Sequence, residues 1–281
     1  METYFVPSHG VDIPLDVHLC VGKAKAVIVY YHGGGLMYGS GKDLPSEYVQ
    51  TVCNAGYHLV CMNYLLAPES PLSHILDSAY HGITWLLHHR KQVLGDQNCP
   101  YVLFGRSAGA FLALMLANRL REEGEMPPSA LWLFYGYYHL RHPEFSCPSK
   151  YYQSLPHIPS QLIPSSHHAQ PRSQASVDER YFLYVYARQN GIWPQMLGAQ
   201  DGEEVPRSQL ALLPPAFLTA STGDRDVPFT FSQTIHVSMP NSFFLPVYGL
   251  EHDYDRDPQR PESNTLYQQA IQWLDGILSS Q

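Results

Sequence analysis

One serine, Ser107, lies between an apolar run typical of a buried strand and an apolar run typical of a helix. Residues 101–104 read Tyr-Val-Leu-Phe, and residues 111–116 are apolar throughout. Gly105 and Gly109 stand two positions before and two positions after the serine. Because bulkier residues would collide in so sharp a turn, the pattern G-x-S-x-G between a strand and a helix is typical of a nucleophile elbow.

A second glycine-rich segment follows another strand-like run. Residues 26–31 are apolar and lead directly into His32-Gly33-Gly34-Gly35. Successive glycines let backbone N–H groups approach a ligand, and such groups can stabilise the oxyanion of acyl transfer. A glycine turn without a catalytic role is the alternative for either motif taken alone. Their joint presence favours acyl transfer.

The chain resembles esterases and lipases of the α/β-hydrolase superfamily that are related to hormone-sensitive lipase. Both motifs and the segment Tyr-Leu-Leu-Ala-Pro-Glu at residues 64–69 occur in the same order as in that group. Leu65, Arg106 and Ala110 depart from the group pattern, which has arginine, aspartate and glycine at these places. The resemblance implies that the N–H groups of Gly34, Gly35 and Ala108 form the oxyanion hole.

The other two triad members are expected later in the chain, because α/β-hydrolases present serine, then an acid, then histidine. Asp224 and Asp226 follow the strand-like residues 215–220, and the resemblance favours Asp224, which lies four residues before Pro228. We expect the remaining aspartate to cap the helix that follows. His252 is the expected histidine, since it follows a short apolar segment and precedes the final helix.

These residues predict a serine hydrolase mechanism. His252 would take the proton of Ser107 as the hydroxyl attacks a carbonyl carbon, and would later protonate the leaving group. Asp224 would orient the imidazole. Activity should then rise with pH as the imidazole, whose free pKa is roughly 6.5, loses its proton.

The order of apolar runs predicts an α/β-hydrolase fold with a mostly parallel, doubly wound sheet and helices on both faces. We expect a first antiparallel hairpin over residues 3–19 and a single domain over residues 1–281. Regular alternation stops between about residues 136 and 213, where only residues 177–188 read as a convincing helix. This stretch is too long for an ordinary connection, so we interpret it as a lid-like insertion over the active site.

Five aromatic or sulfur-containing side chains of this insertion are candidates for lining a substrate pocket. A small core of the insertion itself is the alternative, because large aromatic side chains gain much from burial. The candidates are Tyr151, Tyr152, Tyr184, Trp193 and Met196.

Charge and residue types exclude several other classes of protein. The chain of 281 residues has a formal charge of −8 and no cluster of Lys and Arg, which argues against a nucleic-acid partner. Five cysteines without C-x-x-C spacing predict free thiols in core or strand positions, and adjacent pairs such as His88-His89 and His167-His168 lack zinc-site spacing. No cofactor and no metal are therefore expected.

Neither a signal peptide nor a membrane-spanning segment is evident, so a cytoplasmic location without membrane association is expected. The expected partner is a small acyl ester, and a homo-oligomer is compatible with the sequence. An amide or peptide hydrolase with the same triad is one alternative function. A non-catalytic binding protein with the hydrolase fold is another, because Arg106 departs from the group residue.

Overall fold

A computed structural model describes residues 1–164 and 170–280 of the chain. The described residues form one sheet of eight strands in the order β1-β2-β4-β3-β5-β6-β7-β8. His167 and His168 lie outside the described residues. The strands are β1 (Glu2–Ser8), β2 (Val11–His18), β3 (Val27–Tyr31), β4 (His58–Met62), β5 (Tyr101–Arg106), β6 (Ala130–Phe134), β7 (Ala216–Ser221) and β8 (Ser242–Val247).

The sheet is antiparallel at one edge and parallel elsewhere. β1 pairs with β2, and β2 pairs with β4, in antiparallel register, whereas β3 to β8 follow parallel pairings. Every residue of β3 to β7 is buried, as expected for short apolar strands covered on both faces. The predicted hairpin and the mostly parallel α/β-hydrolase sheet are confirmed.

Two core clusters lie on opposite faces of this sheet because side chains alternate along each strand. Val27, Val29 and Tyr31 of β3 belong to one cluster, and Ile28 and Tyr30 belong to the other. Helices α2 (Leu72–Leu94) and α3 (Ala108–Glu122) contribute to the first cluster, while α1 (Ser46–Asn54) and α10 (Pro261–Ser279) contribute to the second. Helices therefore cover both faces.

The segment between β6 and β7 contains short helices and one long helix. The short helices are α4 (Pro143–Ser146), α5 (Lys150–Gln153), α7 (Trp193–Met196) and α8 (Arg207–Leu210), and the long helix is α6 (Val177–Asn190). Helix α9 (Phe229–Ser238) follows β7. The one convincing helix predicted in this stretch corresponds to α6. Ser176 precedes this helix as its N-cap and forms a capping box with Glu179.

The segment between β6 and β7 is attached to the loops that follow β3 and β4 by hydrogen bonds and by a buried ion pair. Gly39 and Ala175 exchange backbone hydrogen bonds of 2.7 and 3.1 Å. The Nη2 group of Arg180 on α6 donates to Oε2 of Glu69 at 2.7 Å, and both side chains are buried. Glu69 ends the segment at residues 64–69, so this motif anchors α6 above the carboxyl ends of the strands.

The five cysteines are free thiols, as predicted. Cys20, Cys61 and Cys99 are buried and Cys53 is half-buried, but Cys147 is exposed because it directly follows the short helix α4. The expectation of a core or strand position is therefore wrong for Cys147. Within residues 1–164 and 170–280, no helix is long and apolar enough to span a bilayer.

Candidate active site

Ser107 lies in the sharp turn between β5 and α3. Its φ of +54° and ψ of −119° are strained for a residue with a side chain. A Cβ atom at Gly105 would lie 2.0 Å from the carbonyl oxygen of Gly109, and a Cβ atom at Gly109 would lie 2.0 Å from the carbonyl oxygen of Tyr31. Both positions therefore require glycine.

The structure brings together the three residues predicted as a triad. Nε2 of His252 lies 2.8 Å from Oγ of Ser107, and Nδ1 lies 2.6 Å from Oδ2 of Asp224. Ser107 follows β5, Asp224 follows β7 and His252 follows β8, so all three lie at the carboxyl ends of parallel strands. The hydroxyl, the imidazole and the carboxylate form one continuous hydrogen-bonded chain.

Asp224 is held by its own turn. Its Oδ1 atom accepts hydrogen bonds from the backbone N–H groups of Asp226 at 2.8 Å and of Val227 at 2.9 Å. The opposite oxygen is thereby directed at His252. Helix α9 has Pro228 at its N-cap position and no side-chain capping bond. The expectation that one aspartate caps this helix is therefore wrong, because both carboxylates are engaged elsewhere.

Asp226 contacts the long helix of the insertion. Its Oδ1 atom accepts from the hydroxyl of Tyr184 at 2.8 Å and from Nη1 of Arg188. Its Oδ2 atom lies 3.8 Å from Nε2 of His252. Asp226 thus faces the nitrogen that contacts Ser107, whereas Asp224 orients the other nitrogen.

Nearby carboxylates govern the charge of His252. Burial by itself lowers the pKa of this imidazole, but the charge and hydrogen bond of Asp224 outweigh burial and raise the pKa to about 9. Asp226 and Asp253 add smaller contributions in the same direction. The ring of Tyr135 meets the imidazole edge-on, with centroids 4.8 Å apart. The neighbouring carboxylates therefore favour the imidazolium form of His252.

The glycine loop lies beside the nucleophile. Gly34 and Gly35 have φ values of +92° and +59°, a backbone conformation that residues with a side chain rarely adopt. Within the described ranges, no hydrogen-bond acceptor contacts the N–H groups of Gly34, Gly35 or Ala108. Of the three predicted oxyanion donors, Gly34 and Gly35 also line the cavity that contains Ser107, whereas Ala108 is buried at the start of α3.

His32, the first residue of the glycine loop, packs in the core beneath the loop backbone and contacts Gly33 and Tyr64. Its ring is fully buried and stacks on Tyr64, with centroids 4.2 Å apart. Burial lowers the pKa of His32 to about 4, so the ring is neutral at physiological pH. Nδ1 lies 2.9 Å from the carbonyl oxygen of Gly33. His32 is therefore a structural residue of the loop.

Arg106, the residue that departs from the group pattern, belongs to a buried network. Its Nη2 group donates to Oδ1 of Asp255 at 2.8 Å, and its Nε group donates to the hydroxyl of Tyr135 at 2.7 Å. The hydroxyl of Tyr135 donates to the same carboxylate oxygen at 2.5 Å, and that of Tyr267 donates to Oδ2 at 3.0 Å. The network joins the end of β5 to the segment that follows His252.

Two adjoining cavities open at the site. One, of about 330 Å³, is lined by Ser107 and the glycine loop, and the other, of about 670 Å³, extends beyond His252 toward the insertion. Asp226 and His252 line both. Among the described residues, no group of His, Cys, Asp and Glu side chains could hold a metal ion.

The aromatic candidates of the insertion divide between the two interpretations. Tyr151 and Tyr152 line the larger cavity and Tyr184 lines the smaller one. Trp193 is fully buried in the core and donates from Nε1 to the carbonyl oxygen of Gly35 at 3.0 Å. Met196 is partly buried against the same core. Pocket lining and core formation thus coexist.

Sequence reasoning missed two residues that shape the site, Arg188 and Asp255. It also missed that Trp193 supports the glycine loop. Arg188 belongs to a helix predicted from its pattern, but nothing in that pattern shows which loop it contacts. Asp255 lies three residues after His252, and its closeness to the expected histidine was the one available signal. The contact between Trp193 and Gly35 spans 158 positions of sequence.

The fold and this site define an α/β-hydrolase. A family profile described as α/β-hydrolase fold matches residues 28–225, and the chain belongs to this family. Within it, the chain belongs to the esterase and lipase group that includes hormone-sensitive lipase, as its motifs predict.

Three similar proteins illustrate this membership. A Staphylococcus aureus protein of unknown function has a crystal structure with 30% identity and a TM-score of 0.87, covering 99% of this chain and 100% of that chain. Esterase LipI of Mycobacterium tuberculosis is 32% identical over 40% of this chain and 38% of its own length. Human hormone-sensitive lipase is 26% identical over 40% of this chain and 10% of its own length. The matched segments thus span less than two fifths of either curated relative.

Proposed function

We propose that the protein is a serine hydrolase that cleaves small carboxylic esters through an acyl-enzyme on Ser107. The hydrogen-bonded chain from Ser107 through His252 to Asp224, with distances of 2.8 and 2.6 Å, is the observation that carries this proposal. Relatives named as esterases and lipases support the ester as substrate.

In the first half of the proposed reaction, His252 accepts the proton of Ser107 while Oγ forms a bond to the carbonyl carbon. The N–H groups of Gly34, Gly35 and Ala108 stabilise the negative oxygen, and loss of one such donor typically costs about 3 kcal/mol of transition-state stabilisation. The imidazolium then protonates the alcohol oxygen as its bond to carbon breaks. In the second half, His252 activates a water molecule, which releases the acid from Ser107.

We propose that the insertion at about residues 136–213 covers this site within a single domain of residues 1–281. Val177 and Tyr184 of α6 line the cavity that contains Ser107. Because that cavity measures only about 330 Å³, we expect short acyl chains to fit better than long ones. A series of p-nitrophenyl esters tests this, and maximal hydrolysis of long-chain esters would contradict it.

An amide or peptide hydrolase is the second candidate, because the same triad can expel an amine. Hydrolysis rates for an ester and an amide with the same acyl group distinguish the two functions. The third candidate, a non-catalytic binding protein, is disfavoured by the accessible serine in hydrogen-bond contact with a histidine.

A fluorophosphonate probe tests the proposal directly. We expect covalent labelling of the wild-type protein, and no labelling and no esterase activity for Ser107→Ala. His252→Ala should also lose most turnover while remaining folded. An unlabelled, folded wild-type protein would contradict the proposed function.

A further inference from the structure

The two carboxylate oxygens of Asp226 have different surroundings. Oδ1 accepts hydrogen bonds from Tyr184 and Arg188. Oδ2 receives no hydrogen bond from any residue in the described part of the chain, and it lies 3.8 Å from Nε2 of His252. Because Asp226 lines both cavities, Oδ2 is an open acceptor where they meet.

This acceptor is fixed in position before a ligand arrives. The side chain of Asp226 is 11% exposed and that of its partner Arg188 is 1% exposed. Nη2 of Arg188 also donates to the backbone oxygen of Asp226 at 3.0 Å. The guanidinium therefore balances the negative charge and sets the direction of the carboxylate, and the lone pairs of Oδ2 stay free.

The position of Oδ2 defines the part of an ester that it can contact. In the proposed mechanism, Nε2 of His252 delivers a proton to the departing alcohol oxygen. An atom 3.8 Å from Nε2 therefore lies beside the alcohol portion, one or two carbons from the scissile bond. A hydroxyl group at that distance can donate to Oδ2.

The larger cavity suits a hydroxylated alcohol. Tyr38, Tyr151, Tyr152 and Tyr181 line it and offer apolar ring faces with polar edges. Asp253 pairs with Arg256 at 2.5 Å and Glu251 pairs with Arg260 at 2.8 Å, and the further carboxylate of Asp178 is matched in charge by Arg225, which lines the same cavity. Because no excess negative charge attracts a cation, the cavity favours a neutral donor.

We propose that Asp226 is a specificity-determining residue that selects esters of polyhydroxylated alcohols, such as short-chain monoacylglycerols. This inference rests on the proposed esterase function. A site built to hydrogen-bond a hydroxyl discriminates against the analogue without it, because the site's acceptor is then left desolvated and unpaired.

The test compares glycerol monobutyrate with propyl butyrate, which has the same acyl group and carbon chain but no free hydroxyl. We expect wild-type kcat/KM to be about 10–100-fold higher for glycerol monobutyrate, as one hydrogen bond to a charged acceptor provides. Both values of kcat/KM are measured with one protein preparation, so the fraction of active protein does not affect their ratio.

Asp226→Asn tests the atom itself. Arg188 and Tyr184 both donate, so they hold the amide oxygen and turn the NH₂ group toward the cavity. The charged acceptor becomes a neutral donor, from which a substrate hydroxyl can only accept a weaker hydrogen bond, so the ratio should fall several-fold. Tyr184→Phe is the matched control, because it removes a donor to Oδ1 without changing Oδ2, and it should keep the wild-type ratio.

The outcomes separate this inference from the proposed function. Turnover of both esters with a wild-type ratio near one, or an unchanged ratio in Asp226→Asn, overturns the role of Asp226 alone. Absence of turnover of either ester, together with failure of the fluorophosphonate to label Ser107, overturns the esterase function and the inference with it.

Discussion

Arg106 and Asp255 form a buried ion pair of 2.8 Å between the residue before Ser107 and the segment after His252. The carboxylate of Asp255 is fully buried, and the guanidinium is 10% exposed. The two residues are 149 positions apart in the sequence. Their contact holds the segment that follows His252 against the end of β5. This ion pair gives a structural role to Arg106, which stands where the group pattern has aspartate.

We expect Arg106→Met to destabilise the fold by about 3–5 kcal/mol, because it leaves the carboxylate of Asp255 buried without its cation. Urea unfolding measures the change in the free energy of unfolding. Arg119→Met is the matched control, since it breaks two part-exposed pairs, with Asp77 and with Glu123, and should cost about 1 kcal/mol or less for each pair. Equal decreases in the free energy of unfolding of the two variants would contradict the larger contribution expected of the buried pair.

The two aspartates after β7 should differ in their effect on catalysis. Asp224→Asn should lower kcat on a simple alkyl ester by about four orders of magnitude, because the imidazole loses the carboxylate that orients it. Asp226→Asn should lower it far less, since Asp226 does not contact Nδ1. Steady-state kinetics on propyl butyrate makes the comparison, and the reverse order would reassign the triad acid.

The pH dependence of kcat/KM should report the shifted pKa of His252. Only the neutral imidazole can accept the serine proton, so activity should rise with pH toward a plateau above a pKa of about 9. This is well above the free value of roughly 6.5 that the sequence alone suggests.

Asp226→Asn should move this midpoint to lower pH, because one of the carboxylates that stabilise the imidazolium is lost. Asp77→Asn on α2 is the control and should leave the profile unchanged, because the main charges acting on His252 are those of Asp224, Asp226 and Asp253. A midpoint near 6.5 in the wild type would contradict the electrostatic description of the site.

Gly109→Ala should prevent correct folding of the elbow. The new Cβ atom would lie 2.0 Å from the carbonyl oxygen of Tyr31, a backbone atom of the central strand β3 that cannot move aside. Gly276→Ala in α10 is the control, since nothing lies within 4 Å of its Cβ position and alanine should stabilise the helix by about 0.5–1 kcal/mol. Thermal unfolding compares the two variants, and equal melting temperatures would refute the steric account.

The sequence predicted the sheet and its helices well because each depends on local patterns. Buried parallel strands read as short apolar runs, and the turn at Ser107 is marked by glycines whose missing side chains have a direct steric reason. Residues 107, 224 and 252 are predicted together because α/β-hydrolases present serine, acid and histidine in this order, and the structure places them within hydrogen-bond distance.

The contacts between the insertion and the site could not be predicted in this way. Arg188 and Trp193 lie in helices whose orientation depends on long-range packing, and no periodicity specifies the loop that each one contacts. Asp224 and Asp226 differ in their contacts, since Asp224 accepts two backbone N–H groups of its own turn and Asp226 pairs with α6. Local capping preference gave the wrong role because both carboxylates had stronger partners.

The hydrogen bond from Trp193 to Gly35 limits how this enzyme could be re-engineered. Tyr151 is 37% exposed and forms part of the entrance, so replacements there can reshape access while the backbone amides stay in place. Exchanging the indole instead removes the hydrogen bond that holds the carbonyl of Gly35. Variant libraries should therefore diversify the outer tyrosines first and keep the tryptophan fixed.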